Sequence, residues 1–350
     1  MSNSLKGRNG PADTMRSEMK KLALLVALLA TACGQTKLTP EQIAGAMPQA
    51  AVISIDQPNP GLPSGNGPPG VFLSTEAAAA PAVATPAGRS PLAVVSYLFA
   101  RAVNGGVFWT LAPIAFLTEF VPPTGCTATA CTWGPGSRPA ELNDWMLVVT
   151  KAGDAYDYTL SGRPKLPAGS PFVSVLTGRA YPGAVRFHGH GTFSVDFDAA
   201  WDGLAHAVTE TKNDFGSIAV DYDARQGLTV DVTFLDARNS DDPGTNAANP
   251  NRVNAIYAFH RDASGGDLQL GWRTLPPSVS QTRTLHTRWQ PGGAGRADFR
   301  VTLPAASGEF SQCWAGAPDY LMTFDGTSTT TLTDPSVCVF DAAPITIAVP

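Results

Sequence analysis

The sequence predicts a mainly β protein: a large antiparallel meander, curled as a barrel or half-barrel, with a buried N-terminal helical segment. Three observations carry this. From residue 143 to residue 303 apolar and polar residues alternate with a period of two. Short turn-forming clusters separate the alternating runs. An almost unbroken apolar segment, residues 92–121, precedes them.

The apolar segment comes first. Ser90-Pro91 is a good helix start, because Ser caps and Pro suits the first helical position. Leu92, Val94, Val95, Tyr97, Leu98, Phe99 and Val103 wrap nearly all round the helix that follows, so it is expected to be buried. Asn104-Gly105-Gly106 reads as its stop. Val107 to Val121 contains Pro113 and reads as a second, kinked helix or a strand. Arg101, Asn104, the Gly pair and Pro113 argue against membrane spans here.

The strands follow. Trp145–Lys151 and Tyr156–Arg163 make a hairpin at Ala152-Gly153-Asp154. Arg186 to Asp198 reads as one half-buried strand, with Phe187, Gly189, Gly191, Phe193, Val195 and Phe197 on one face and His188, His190, Asp196 and Asp198 on the other. Ile218/Val220/Tyr222 pair with Leu228/Val230/Val232/Phe234. Val253/Ala255/Tyr257/Phe259 pair with Leu268/Leu270/Trp272, and Leu285/Trp289 with Ala297/Phe299/Val301/Leu303. Consecutive hairpins place sequential strands side by side. So many strands curl rather than stay flat. The alternative is a two-sheet β-sandwich. A membrane barrel is disfavoured, because one strand face carries Asp196, Asp198, Asp221, Asp223 and Asp231 where a lipid-facing band would be apolar.

The N-terminal part has a different character. Met19-Lys20-Lys21 is followed by the apolar run Leu22–Ala32 and then Cys33-Gly34. This is the layout of a secretory signal, too short to span a bilayer. Residues 1–18 read as an extension upstream of it. Ala30-Thr31-Ala32-Cys33 resembles the lipobox of bacterial lipoproteins, with Ala30 where that family usually has Leu. The resemblance covers residues 19–35. It implies cleavage after Ala32, lipid on Cys33, and export across the inner membrane. Gly34 in place of Asp implies the outer membrane. Residues 33–89, rich in Pro, Ala and Gly, read as a lipidated disordered tether, and 90–350 as the globular domain.

Of the 24 basic and 29 acidic residues, 5 and 2 lie in residues 1–33. The remaining chain therefore holds 19 and 27, a net charge of −8. An acidic chain without a Lys/Arg run excludes nucleic acid as an expected partner. Adhesion to anionic lipid by charge is excluded with it. With Cys33 lipidated, four cysteines remain, and these allow three pairings. Cys126 with Cys131 and Cys313 with Cys338 is the favoured one. A zinc site is the weaker reading, because the second pair is far apart in sequence.

Two chemical candidates stand out. His188-Gly189-His190 puts two imidazoles on one strand face, a workable metal-ligand spacing, with His260 or His286 as a third ligand. A solvated polar strand face is the favoured reading, because alternation already explains these residues. Asp196-Phe197-Asp198 with Asp202-Gly203 is part of a calcium-loop pattern, and plain turns use the same residues. No nucleophile elbow, H-E-x-x-H, P-loop or S-x-x-K stands in residues 34–350, so no catalytic residue and no cofactor is assigned. The expected function is a membrane-anchored, non-enzymatic envelope lipoprotein with a structural or partner-binding domain. The alternatives are a carrier of a hydrophobic ligand such as a lipid, and a metal binder or metal-dependent enzyme at His188 and His190.

Overall fold

The computed structural model describes residues 37–60, 89–137, 139–208, 212, 214–238, 251–276, 280–316, 322–327 and 338–350. Among these residues fourteen strands form one antiparallel sheet. They are β1 (Gly125–Cys126), β2 (Ala130–Gly136), β3 (Asn143–Ala152), β4 (Ala155–Pro164), β5 (Val173–Tyr181), β6 (His190–Asp196) and β7 (Ser217–Asp223). They continue as β8 (Leu228–Arg238), β9 (Arg252–Asp262), β10 (Gly265–Thr274), β11 (Thr282–Trp289), β12 (Gly295–Leu303), β13 (Ala306–Trp314) and β14 (Met322–Thr327). Three helices accompany them: α1 (Pro40–Ala46), α2 (Pro91–Phe120) and α3 (Phe197–Gly203). Spatial order equals chain order, and β1 and β14 do not pair with each other. The sheet is thus an open meander, the half-barrel form of the expected fold. It is neither a closed barrel nor a sandwich.

One register row shows how the sheet makes its core. Val149, Tyr158, Gly178, Phe193, Val220, Val232, Tyr257, Leu270, Leu285, Phe299 and Phe310 are successive cross-strand partners from β3 to β13. Each sits in phase with the period-two pattern, so one face stays apolar across the row. Gly178 is the gap in it. A Cβ there would lie 2.3 Å from Cζ of Tyr158, so the missing side chain makes room for that ring.

Helix α2 packs on this inner face as a single helix about 45 Å long by its rise per residue. The stop expected at Asn104-Gly105-Gly106 does not form. Asn104 Nδ2 donates to Ile55 O at 2.6 Å, and Asn104 Oδ1 accepts from Ile55 N at 2.7 Å. Val103, Val107, Leu111 and Ile114 are buried around it. Tertiary burial outweighs a propensity cost of about 1 kcal/mol for each Gly. At its start Ser90 Oγ caps Ala93 N at 3.2 Å, as the Ser-Pro pair suggested. Ser90 Oγ also donates to Gln312 Oε1 on β13 at 2.8 Å. At its end Trp133 Nε1 on β2 donates to Val121 O at 2.9 Å.

The tether expectation needs correction over residues 37–60. Thr39 and Gln42 form a reciprocal capping box that starts α1. Ile43, Met47, Ile53 and Ile55 are then buried in the main core. Leu38 N donates to Thr127 O at 3.1 Å, and buried Ser96 Oγ donates to Gln57 Oε1 at 2.7 Å. This segment belongs to the domain, so the fold starts well before Ser90. The short apolar runs around Ile43 and Ile53 are enough to order it once the sheet supplies a face. Cys33 and the signal-like segment lie outside the described residues.

The strand expected over 186–198 is also shorter. Phe187 adopts φ 66°, which turns the chain before β6 begins at His190. At the other end Asp196 Oδ1 accepts from Ala199 N at 2.8 Å and caps α3.

The C-terminal residues 338–350 cross the outer face of β9 to β12. Ile345, Ile347 and Val349 alternate toward the sheet. Gln269 Oε1 accepts from Thr346 N at 3.0 Å and Ile347 N at 3.2 Å. Asn254 and Arg273 both donate to Pro350 O. The Cys313–Cys338 disulfide fixes the near end of this strap, and Cys126–Cys131 closes the β1–β2 hairpin. Both bridges follow the favoured pairing and are compatible with an extracytoplasmic location.

On the outer face Asp221 of β7 stands directly opposite Asp231 of β8. Partial desolvation, then the Asp221 charge, raises the Asp231 carboxyl above its ordinary range. A raised carboxyl means that the folded state holds its proton longer than the unfolded chain does. The penalty is therefore absent below the ordinary value near 3.8 and fully present above the raised one. Asp231→Asn is expected to stabilise the domain at pH 7 by a few tenths to about 1 kcal/mol, less at high salt. The urea midpoints of the variant and the natural protein should differ at pH 7 and converge at pH 3, where Asp231 is protonated. Equal gains at both pH values would contradict the charge origin.

Candidate functional site

Between the middle of α2 and strands β6 to β9 lies an apolar crevice. Ala102, Val103, Gly106, Val107 and Thr110 line it from the helix. Phe193, Ile218, Val220, Val232, Phe234 and Tyr257 line it from the sheet. The cause is local. Ala102 and Gly106 are one turn apart on the same helix face, and neither has a side chain long enough to reach the strands. The helix is thin where the sheet curls away. The space within the crevice, which opens to solvent, is about 80 Å³. A cavity of about 150 Å³ holds a benzene ring, so this space admits the end of an alkyl chain and not a whole lipid.

Besides the Thr110 and Tyr257 hydroxyls, the polar lining is the charged pair Asp214 and Arg238. These two line the crevice edge. Burial raises the Asp214 carboxyl above its ordinary range, and the nearby Arg238 charge partly offsets this. Phe215, almost fully buried, closes the same end. Arg252 Cζ stands 3.8 Å from its ring centroid and Lys212 Nζ 4.9 Å from it. Lys212 also reaches Asp198 at 2.6 Å, and Asp198 Oδ2 accepts from Gly216 N at 3.0 Å. Burial opposes ionisation of Asp198, but these two partners outweigh it and hold the carboxyl below its usual range. A small rim of both signs around an apolar interior suits a ligand with a hydrophobic end and a polar head.

The residues singled out for metal chemistry are not brought together. His188 lies in the turn before β6, with Nδ1 3.0 Å from Arg186 O. His190 stacks on Tyr181 at a centroid distance of 4.5 Å. The shared strand face on which the metal reading depended is therefore not formed. His260 on β9 contacts Thr229 and Asp262, and His286 on β11 pairs with Asp267 at 2.9 Å. Three strand spacings, about 14 Å, separate β6 from β9. Among the described residues no group of three or more His, Cys, Asp or Glu is placed to hold a metal ion. Asp196 and Asp198, the start of the calcium-like pattern, cap α3 and brace Gly216 instead.

Sequence reasoning missed the crevice. The available signal was the Gly105-Gly106 pair within an apolar run, which reads as a helix stop by local propensity. Inside a continuous helix the same pair marks where the backbone is bare. No family model, no curated protein and no solved structure matches the chain.

Proposed function

We propose that this chain is an extracytoplasmic lipoprotein, anchored at the outer membrane through lipid on Cys33, whose curled sheet carries the hydrophobic end of an amphipathic ligand. The observation that carries this reading is the apolar crevice under Ala102 and Gly106 with Asp214 and Arg238 at its mouth. Two disulfides support an oxidising compartment, and the lipobox-like Ala30-Thr31-Ala32-Cys33 supports the anchor. The ligand enters by one chain end, since the crevice volume of about 80 Å³ is small.

Filling the crevice tests this. Gly106→Leu replaces a bare position in a helix by a strong helix former, so the helix itself is not weakened. The side chain would occupy the space that the ligand end needs. Binding of a fluorescent fatty-acid probe is expected to fall at least about tenfold, the equivalent of 1.4 kcal/mol. Native mass spectrometry of the natural protein, after its anchor is accounted for, should show a co-purified amphiphile that the variant lacks. Probe binding unchanged in Gly106→Leu would remove the carrier reading.

A further inference from the structure

A second surface concerns how the domain stands at the membrane. The C-terminal half of α2 is covered by the sheet on one side only. Pro113, Phe116 and Phe120 fall at i, i+3 and i+7, so they share one face. Phe116 is 52% exposed and Phe120 73%, with their ring centroids 6.0 Å apart. The neighbouring charge, Glu119, is held by Arg186 at 3.5 Å and by Gln49 at 3.1 Å. That ion pair draws in the β5–β6 loop, whose Val185 is 61% exposed. Exposed large rings on a helix end with its one charge neutralised are unusual for a surface that only meets water.

The length of chain before the fold says what this face meets. Lys37 is the first described residue, and Leu38 is already bonded to Thr127. Thr127 follows the end of α2 by a few residues and sits in the β1–β2 hairpin. Cys33 is four residues before Lys37, a reach of at most about 14 Å when fully extended. With lipid on Cys33, the hairpin and the end of α2 are held at the bilayer surface. They do not stand at the end of a long tether. The net charge of −8 gives no electrostatic attachment to anionic lipid, which leaves apolar contact.

We propose that Pro113, Phe116, Phe120 and Val185 form a membrane-contact face that rests in the headgroup region of the bilayer carrying the Cys33 lipid. This rests on the anchored reading above. Aromatic rings at a helix end suit that interface, where an apolar face enters by several ångströms. The contact orients the crevice relative to the membrane and shortens the path of a ligand between them.

The test uses the mature chain in two forms. One is natural. The other carries Cys33→Ser behind a signal cut by the ordinary signal peptidase, so no lipid is attached. Flotation of the unlipidated form with phosphatidylethanolamine–phosphatidylglycerol vesicles should show weak binding that is kept, or strengthened, at high salt, where repulsion between the acidic chain and the anionic lipid is screened. Phe116→Ser with Phe120→Ser should lower that partition on the order of a hundredfold, tenfold for each ring. Phe116→Leu with Phe120→Leu should largely restore it. The rings are exposed, so equal melting temperatures will show that the fold is kept. Binding unchanged in the Ser variant would overturn the proposal. So would a wild-type dimer that the Ser variant turns into monomer, because the face would then meet a second copy. Mass analysis of the natural form separates the two readings. If Cys33 carries no lipid, the anchor fails; a ring-dependent partition would still uphold the face.

Discussion

Replacing Trp133 by Ala is expected to destabilise the domain by about 3–5 kcal/mol. The side chain is 1% exposed and lies in the main core. Its truncation leaves a large cavity beside the end of α2. It also removes the donor to Val121 O at 2.9 Å, a carbonyl that terminates the helix. The loss is a fifth or more of the stability of an ordinary domain, about 5–15 kcal/mol. Trp133→Phe separates the two contributions. It keeps most of the apolar volume and should cost about 1–3 kcal/mol for the unsatisfied carbonyl and residual space. Urea denaturation of both variants checks this. A shift below about 1 kcal/mol for Trp133→Ala would mean that the end of α2 is not pinned as described.

Cys313→Ser should have the next largest effect, about 3 kcal/mol from the loop closed over a separation of 25 residues. Cys126→Ser should cost less, about 2 kcal/mol, because its loop spans only 5. The two changes also differ in place. Loss of the Cys313–Cys338 bridge frees the strap at one end, which uncovers the outer face around His286 and Arg296, now 5% and 6% exposed. Hydrogen exchange in β10 to β12 should rise in Cys313→Ser and stay unchanged in Cys126→Ser. Uniform exchange in both variants would show that the strap does not depend on its bridge.

The strands were legible because their information is local. Alternation from Trp145 to Leu303 places each residue on a face, and short turns impose neighbour pairing. The disulfides followed from cysteine spacing. What failed was local propensity against tertiary contact. Asn104-Gly105-Gly106 reads as a stop until Ile55 supplies both partners for Asn104. Residues 37–60 read as tether because their apolar residues are sparse, yet Ile43 and Ile53 need only a ready-made face. The two histidines of the metal candidate are not both strand residues, because β6 begins only at His190 and His188 lies in the turn before it. The crevice was invisible because it comes from absent side chains, and absence has no period to detect.

The pairing of Ser90 with Gln312 has a further consequence for how the molecule is made. These residues are 222 positions apart, while every strand pairs with its immediate neighbour. Hairpins close quickly as the chain emerges, each within a short loop. Helix α2 precedes all of them, and its cover on β6 to β9 is delivered only some hundred residues later along the chain. During that interval a 30-residue apolar helix has no sheet to bury it. Its local cap, Ser90 Oγ on Ala93 N, gains its distant partner Gln312 only when β13 is delivered.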